Sequence, residues 1–212
     1  MTKEQKVKLI IERLLKVYPN PKTALQYSNP LELLVATILS AQATDKTVNT
    51  VTPQLFKKYR TVKDFAGAPL SELDKAISKV NFHSNKAKSI KAASQMIIDK
   101  FNGKVPDNME DLDSLPGVAR KTANVVLGNA FKKAEGVVVD THVMRLSRKL
   151  GLTDQSDPVK IEADLMKIVP KDKWIDFSHL LIDFGREYCP ARRHVCKDCP
   201  LKELCPDLPN KF

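Results

Sequence analysis

Apolar residues recur along most of the chain at spacings of three and four, the spacing that lines one face of an α-helix. Val7, Ile10, Ile11, Leu14 and Tyr18 form the first such stripe. Asn29-Pro30-Leu31-Glu32 reads as a helix start: Asn29 can cap, Pro30 suits the first turn and Glu32 can close a capping box. The helix behind it, through Leu33, Leu34, Val35, Ile38 and Leu39, is apolar on nearly every side, which predicts a buried central position. Val48, Val51, Leu55 and Tyr59 predict the next helix, kinked at Pro53. A short helix is expected from Ser71, capped by Ser71-Glu72-Leu73-Asp74. Ala87, Ile90, Ile97 and Phe101 predict a long one, with Lys86, Lys88, Lys91 and Lys100 facing outward. Later helices are expected after Asp140, ending at Gly151, and after Asp157-Pro158, carrying Ile161, Leu165 and Ile168. The last long one carries Trp174, Phe177, Leu180, Leu181 and Phe184, with Gly185 as its stop. Val137-Val138-Val139 is the one β-branched dissent, and without a partner strand it reads as an extended connector. The expected fold class is all-α.

Composition narrows the partners. The 212 residues suffice for one large or two modest domains, and 35 Lys and Arg against 25 Asp and Glu give a net charge of +10. An excess of that size fits a polyanionic partner, nucleic acid being the commonest, or else a well-solvated basic surface. The longest apolar stretch, residues 31–41, contains Glu32 and Thr37 and is too short to span a bilayer. Residues 1–8 are polar and lack the apolar core of a signal peptide. A cytoplasmic protein with no membrane association is expected.

The most informative stretch is Leu115-Pro116-Gly117-Val118-Ala119-Arg120-Lys121-Thr122-Ala123-Asn124-Val125-Val126. A short helical piece, residues 109–112, precedes it. Pro116-Gly117 makes a tight turn, and a helix resumes near Ala119 with Ala123, Val126 and Ala130 available for packing. A glycine turn opening onto a helix start leaves N–H groups pointing outward, at the positive end of the helix dipole. That suits a DNA phosphate and holds the backbone without reading sequence. Lys121 sits in the first turn, where a cation is disfavoured and the neutral, nucleophilic amine is favoured. Its simpler role is a phosphate contact. Asp140, before Thr141-His142-Val143, reads as a helix N-cap.

All four cysteines lie in the last 24 residues, spaced Cys189-x6-Cys196-x2-Cys199-x5-Cys205. Thiols gathered so tightly suggest a metal site rather than a disulfide framework. Four thiolates can hold Zn²⁺ or an iron–sulfur cluster. Zinc ribbons usually carry two Cys-x2-Cys knuckles, and only one is present.

The hairpin segment resembles the helix-hairpin-helix DNA glycosylases, and the whole chain is similar to the endonuclease III family. Leu39-Ser40-Ala41-Gln42-Ala43-Thr44-Asp45, the hairpin, Val139-Asp140-Thr141-His142-Val143 and the terminal cysteines occur in that family's order and spacing, essentially end to end. The resemblance implies a two-lobed fold, with a helical barrel over residues 22–132 and a cluster lobe built from 1–21 and 133–212. DNA would lie across the cleft between them. It implies a monomeric, nucleoid-associated prokaryotic enzyme of base excision repair. Such an enzyme is a DNA N-glycosylase with AP-lyase activity on oxidised pyrimidines and abasic sites in double-stranded DNA.

By the same resemblance Lys121 attacks the sugar C1′, expels the damaged base and forms a Schiff base, and β-elimination then cuts the strand. Asp140 assists the nucleophile and stabilises positive charge on the sugar. Gln42 fills the space left by the flipped nucleotide, and a second wedge comes from residues 81–84, either Phe82 or His83; core packing is the competing role for Phe82. DNA contacts are further expected from Gly117, Val118, Ala119, Arg120, Thr122, His142, Arg192 and Arg193. The four cysteines would hold a [4Fe–4S] cluster. Ala119 departs from the family's Leu-Pro-Gly-Val-Gly, which is harmless if this residue already has helical φ and ψ, the geometry expected here. Two rivals remain: an adenine-mismatch glycosylase, which lacks the hairpin lysine, and a non-catalytic iron–sulfur DNA-binding protein.

Overall fold

The computed structural model describes residues 1–133, 135–192 and 196–206. Among these residues the regular structure is helical, with no strand. In chain order the helices are α1 (Lys3–Val17), α2 (Pro30–Ser40), α3 (Asp45–Lys58), α4 (Val62–Gly67), α5 (Leu70–Ala76), α6 (His83–Phe101), α7 (Met109–Asp113), α8 (Arg120–Ala130), α9 (Thr141–Lys149), α10 (Pro158–Ile168) and α11 (Trp174–Glu187). The chain divides into two compact units, Thr23–Glu135 and Met1–Lys22 with Gly136–Phe212.

The unit Thr23–Glu135 is built around α2. Leu33, Leu34, Val35, Ala36, Ile38 and Leu39 are all buried, and α3, α6 and α8 pack around them. Burying each leucine contributes about 1.5–3 kcal/mol, so α2 is the spine of this core. Its start is set locally. The Asn29 side chain accepts the Glu32 N–H at 3.0 Å, while the Glu32 carboxylate reaches one residue beyond the cap, to the Ser28 N–H at 2.7 Å. Helix α3 runs on through Pro53.

Three local expectations are corrected. Helix α5 starts one residue early, at Leu70 behind Pro69, with no side-chain cap, so Ser71 is not its cap. Lys86 and Lys91 do not face outward: Lys86 is only 7% exposed, and Lys91 Nζ donates to the carbonyls of Ala66 and Ala68 at the end of α4. In both, the ammonium meets carbonyls at a helix C-terminus, the negative end of the dipole.

In the other unit, α1 lays Val7, Ile10, Ile11 and Leu14 against α10 and α11, and α9 packs on the same two helices. Gly185 does not stop α11. It lies inside the helix, buried, because a Cβ there would stand 2.7 Å from His142 Nδ1 and 3.0 Å from a Leu146 methyl. It is a packing glycine, and α11 ends at Glu187. Residues 137–139 belong to no helix or strand, and the Val138 N–H donates to Ser178 Oγ at 3.0 Å.

Candidate functional site

Helices α7 and α8 are joined by a turn with two fixed points. The Val118 N–H donates to the Leu115 carbonyl at 3.0 Å, and both side chains are buried. Val118 therefore closes the turn and anchors it to the core, and its N–H does not point outward. Gly117 lies at φ +78°, where L residues are strained, and a Cβ there would meet Ser89 Cβ at 2.6 Å. The turn thus sits directly on α6. Ala119 is the N-cap of α8 at φ −105° and ψ 166°. It is extended, not helical as expected, and alanine is unstrained there. No side chain caps α8. The first N–H groups of an α-helix have no partner within the helix, so this start is the end of α8 that can receive an anion. Gly117, Ala119, Arg120 and Lys121 are exposed, and Thr122 is half-buried.

Two other elements of this unit carry predicted site residues. Ala41 (φ −57°, ψ 116°) and Gln42 (φ +53°) form a tight turn after α2, with the Ala43 N–H on the Ser40 carbonyl at 3.1 Å. This is the type II pattern, whose second central position favours glycine. Gln42 occupies it and is exposed. Phe82 is the N-cap of α6, also left-handed at φ +56°, and is 61% exposed. A core role for Phe82 is thereby excluded. Positive φ in an aromatic residue is a genuine outlier, and such outliers gather at functional positions. His83 is instead engaged, with Nδ1 2.5 Å from the Asp74 carboxylate, a contact that holds Asp74 below the usual carboxylate pKa range.

Two residues missed from sequence complete this region. Lys86 Nζ donates to the carbonyls of Leu39 at 2.8 Å and Ala41 at 2.6 Å, and burial lowers its pKa. Asn81 Nδ2 donates to the Gln42 carbonyl at 3.2 Å. The only legible signal was register: Lys86 lies four residues before Ile90, on the buried face of α6.

In the other unit, Asp140 is the N-cap of α9, its Oδ1 accepting the Val143 N–H at 2.8 Å, and it is half-buried. One carboxylate oxygen therefore caps. His142 turns Nδ1 inward to a buried position against Gly185. Arg145 reaches the cysteine segment, with one guanidinium nitrogen on the Cys189 carbonyl at 2.6 Å and another 3.8 Å from Cys189 Sγ. Cys189 is buried, and the other three thiols are half-buried. Burial pushes the Cys199 thiol up, and Cys196, Cys189 and Cys205 all act on it in the same direction, so four thiols share one neighbourhood. Among the described residues no group of three His, Cys, Asp or Glu side chains is placed to hold a metal ion. Arg192 lies on the bend after Pro190, while Arg193 and His194 lie outside the described residues.

A cavity of about 890 Å³, lined by Asn29, Arg60, Lys100, Lys104, Asp107 and Phe131 among others, lies at the far ends of α2, α6 and α8 and includes none of the predicted site residues. No helix among the described residues is long and apolar enough to cross a membrane.

A helical unit presenting a glycine turn, with a helix start behind it that no N-cap side chain caps, defines a class. Residues 35–171 match the HhH-GPD superfamily of base excision DNA repair proteins. The chain is 49% identical to endonuclease III of Synechocystis over 97% of its length and 94% of the relative's. It is 43% identical to that of Bacillus subtilis, over 95% and 92%. Its fold is similar to a trapped endonuclease III–DNA covalent intermediate in an estranged-adenine complex, with TM-score 0.90 and 43% identity over 97% of each chain. A non-covalent endonuclease III–DNA complex matches equally, with TM-score 0.90 over 97% and 96%. The chain belongs to the endonuclease III family.

Proposed function

We propose that this protein is a base excision repair DNA N-glycosylase with AP-lyase activity, acting on oxidised pyrimidines and abasic sites in double-stranded DNA. The observation that carries the reading is the hairpin. A turn that only glycine can make at position 117 leads into a helix whose first turn presents an exposed lysine, Lys121. The N–H groups of the first turn of α8 receive a backbone phosphate, and Lys121 is then held at a nucleotide rather than free in solution. A covalent DNA intermediate in a structural relative of TM-score 0.90 supports the same chemistry.

Lys121 acts as the nucleophile. Its neutral amine forms a bond to the sugar C1′, the glycosidic bond breaks, and the base leaves with the bonding pair. The amine loses a proton and the C1′–O4′ bond breaks, opening the sugar ring to a Schiff base; removal of a C2′ proton then expels the 3′ phosphate by β-elimination. Asp140 supplies the negative charge that supports the amine and the cationic sugar. One of its oxygens is committed to Val143, which fixes the orientation of the other. Gln42 and Phe82 enter the duplex when the nucleotide leaves the stack. Phe82 is favoured over His83 as the second wedge, because His83 is bound to Asp74 and Phe82 is exposed. Arg120, Thr122, Arg192 and Arg193 contact the backbone.

The four cysteines hold a [4Fe–4S] cluster. When bound, it ties the C-terminal segment into one structural piece, and neither base removal nor elimination consumes an electron. Arg145 orients the first ligand segment through the Cys189 carbonyl.

The test is a panel of duplexes carrying single lesions or an abasic site, assayed for strand cleavage with and without borohydride. Cleavage at oxidised pyrimidines with a trapped adduct supports the reading. Adenine release from mismatches without an adduct would mark the adenine-mismatch enzyme. Binding without any turnover would mark a non-catalytic protein.

A further inference from the structure

The end of α2 differs from the ends of its neighbours. Helix α6 stops at left-handed Asn102, with the Gly103 N–H on the Ile97 carbonyl at 2.9 Å. Helix α8 stops in the same way, with Lys132 left-handed and the Lys133 N–H on the Leu127 carbonyl at 3.0 Å. Those are backbone stops of the Schellman kind, complete within their own segment. Helix α2 lacks such a bond among the described residues. Its Leu39 and Ala41 carbonyls are taken by the Lys86 ammonium, delivered from another helix. No basic residue of its own lies in its last turn. The only buried lysine among the described residues is therefore spent immediately before Gln42.

Lys86 also holds the other loop. Its backbone N–H donates to the Phe82 carbonyl at 3.1 Å, the first bond of α6. Next to it the Asn81 side chain crosses to the Gln42 carbonyl at 3.2 Å. Gln42 and Phe82 are both left-handed without being glycine, a conformation that persists only where its surroundings over-determine it. Each of these two strained residues is gripped through its own carbonyl, and Lys86 fixes the residue before Gln42 as well.

We infer that Lys86 and Asn81 are positioning residues that lock the Gln42 turn to the Phe82 loop, so that both side chains enter the duplex as one rigid wedge. This rests on the reading of Gln42 and Phe82 as the inserting residues. A locked wedge has no turn to reorder at the moment of insertion, so it lowers the cost of holding the nucleotide out of the stack. The lock acts only when a stacked partner strand must be parted.

Two abasic substrates separate this from a general structural role: one in a fully paired duplex and one placed in an unpaired bulge, where the nucleotide is already out. Single-turnover strand cleavage is measured for the intact protein, Asn81→Ala and Lys86→Met, alongside fluorescence of 2-aminopurine beside the site. Cleavage of the paired duplex should fall about tenfold or more in Lys86→Met and several-fold in Asn81→Ala, as loss of precise positioning implies. The unstacking signal should slow in step, and cleavage of the bulge should change by less than about twofold. Equal losses on both substrates, or no loss on the paired one, would overturn the inference. Asn81 is exposed, so its alanine variant should keep the fold, a point its thermal melt checks, and the test stands even if Lys86→Met is unstable. Gln42→Ala and Phe82→Ala are run in parallel. If neither harms paired-duplex cleavage, the wedge reading itself fails; if both do and Asn81→Ala does not, only the lock fails.

Discussion

Replacing Gly117 by alanine tests the account of the hairpin at its tightest point. Two separate penalties apply. The residue sits at φ +78°, and an alanine held there is worse than glycine by about 1 kcal/mol. Its Cβ would also stand 2.6 Å from Ser89 Cβ and 2.8 Å from Ser89 Oγ. The hydroxyl could rotate away, but the Cβ is fixed to the backbone of α6, so relief requires the turn and the helix to separate. Overpacking of that kind costs about 1–3 kcal/mol. The sum, about 2–4 kcal/mol, corresponds to a fall in Tm of roughly 4–16 °C for a chain of this size. The two parts can be divided by repeating the substitution in a Ser89→Gly background, where the obstruction is gone and the left-handed strain remains. Ser89→Gly alone should cost about 0.5–1 kcal/mol as a mid-helix glycine. The coupling between the two sites should then be about 1–3 kcal/mol. Thermal melts of the four proteins give the cycle. Ala119→Gly is the control: Ala119 is an N-cap with negative φ, a position where glycine is preferred to alanine, so the change should cost nothing and gain up to about 1 kcal/mol. If Gly117→Ala cost the same in both backgrounds, the close approach to Ser89 would have no energetic meaning. If it cost nothing in either, the turn geometry would be wrong.

Lys121→Gln should abolish borohydride trapping and strand cleavage while leaving the melt and the cluster unchanged, because an exposed first-turn lysine adds little to the core; a persisting adduct would place the nucleophile elsewhere. Asp140→Asn keeps an oxygen for the Val143 N–H and should preserve stability, yet lower turnover by about 10²-fold or more. Asp140→Ala should lose the same activity and about 1 kcal/mol besides, so equal turnover in Asp140→Asn and the parent would reduce Asp140 to a cap. Metal and sulfide analysis of anaerobically purified protein should find about four irons per chain, with visible absorption lost in Cys199→Ala, and stoichiometric zinc instead would refute the cluster. Gly185→Ala should lower Tm, since its Cβ would press on His142 and Leu146 inside α11; an unchanged melt would contradict that packing.

What the sequence revealed and what it hid follow from the range of the forces involved. Periodicity exposes helices because the buried face repeats within one segment. Hence the α2 stripe, the Asn29 and Asp157 caps and the all-helical class were all readable. Caps depend on three or four neighbouring residues, and even there Pro69 displaced Ser71. Gly185 looked like a stop because glycine often is one, yet its reason is His142, more than forty residues away in the chain. Lys86 and Lys91 looked like solvated charges because side-chain type says nothing about which carbonyls lie above it. At Ala119 the family pattern raised a doubt that one backbone angle removes, since only Gly117 needs left-handed geometry. Phe82 shows the converse. Its hydrophobicity argued for the core, and its exposure on a strained backbone argues for a task outside it.

Within Thr23–Glu135 the predicted DNA-facing parts are not independent loops, because α6 touches each of them. Phe82 is its N-cap, Lys86 in its first turn binds the carbonyls ahead of Gln42, and Ser89, one turn further, forms the floor on which Gly117 rests. Positions 82, 86 and 89 are spaced by four and three, so they fall on one face of the helix. The same face continues inward as Ile90, Ala93 and Ile97, all buried in the core. The wedge turn, the wedge loop and the phosphate-binding turn are therefore referenced to one rigid rod whose lower half is locked by apolar packing. A shift of α6 would move all three together and preserve their spacing, whereas three separate loops would each drift alone. This explains why strained backbone is tolerated there, at Gln42 and Phe82. The strain is small beside the burial that holds α6, and it sits where relative position, more than local stability, decides whether a nucleotide leaves the stack.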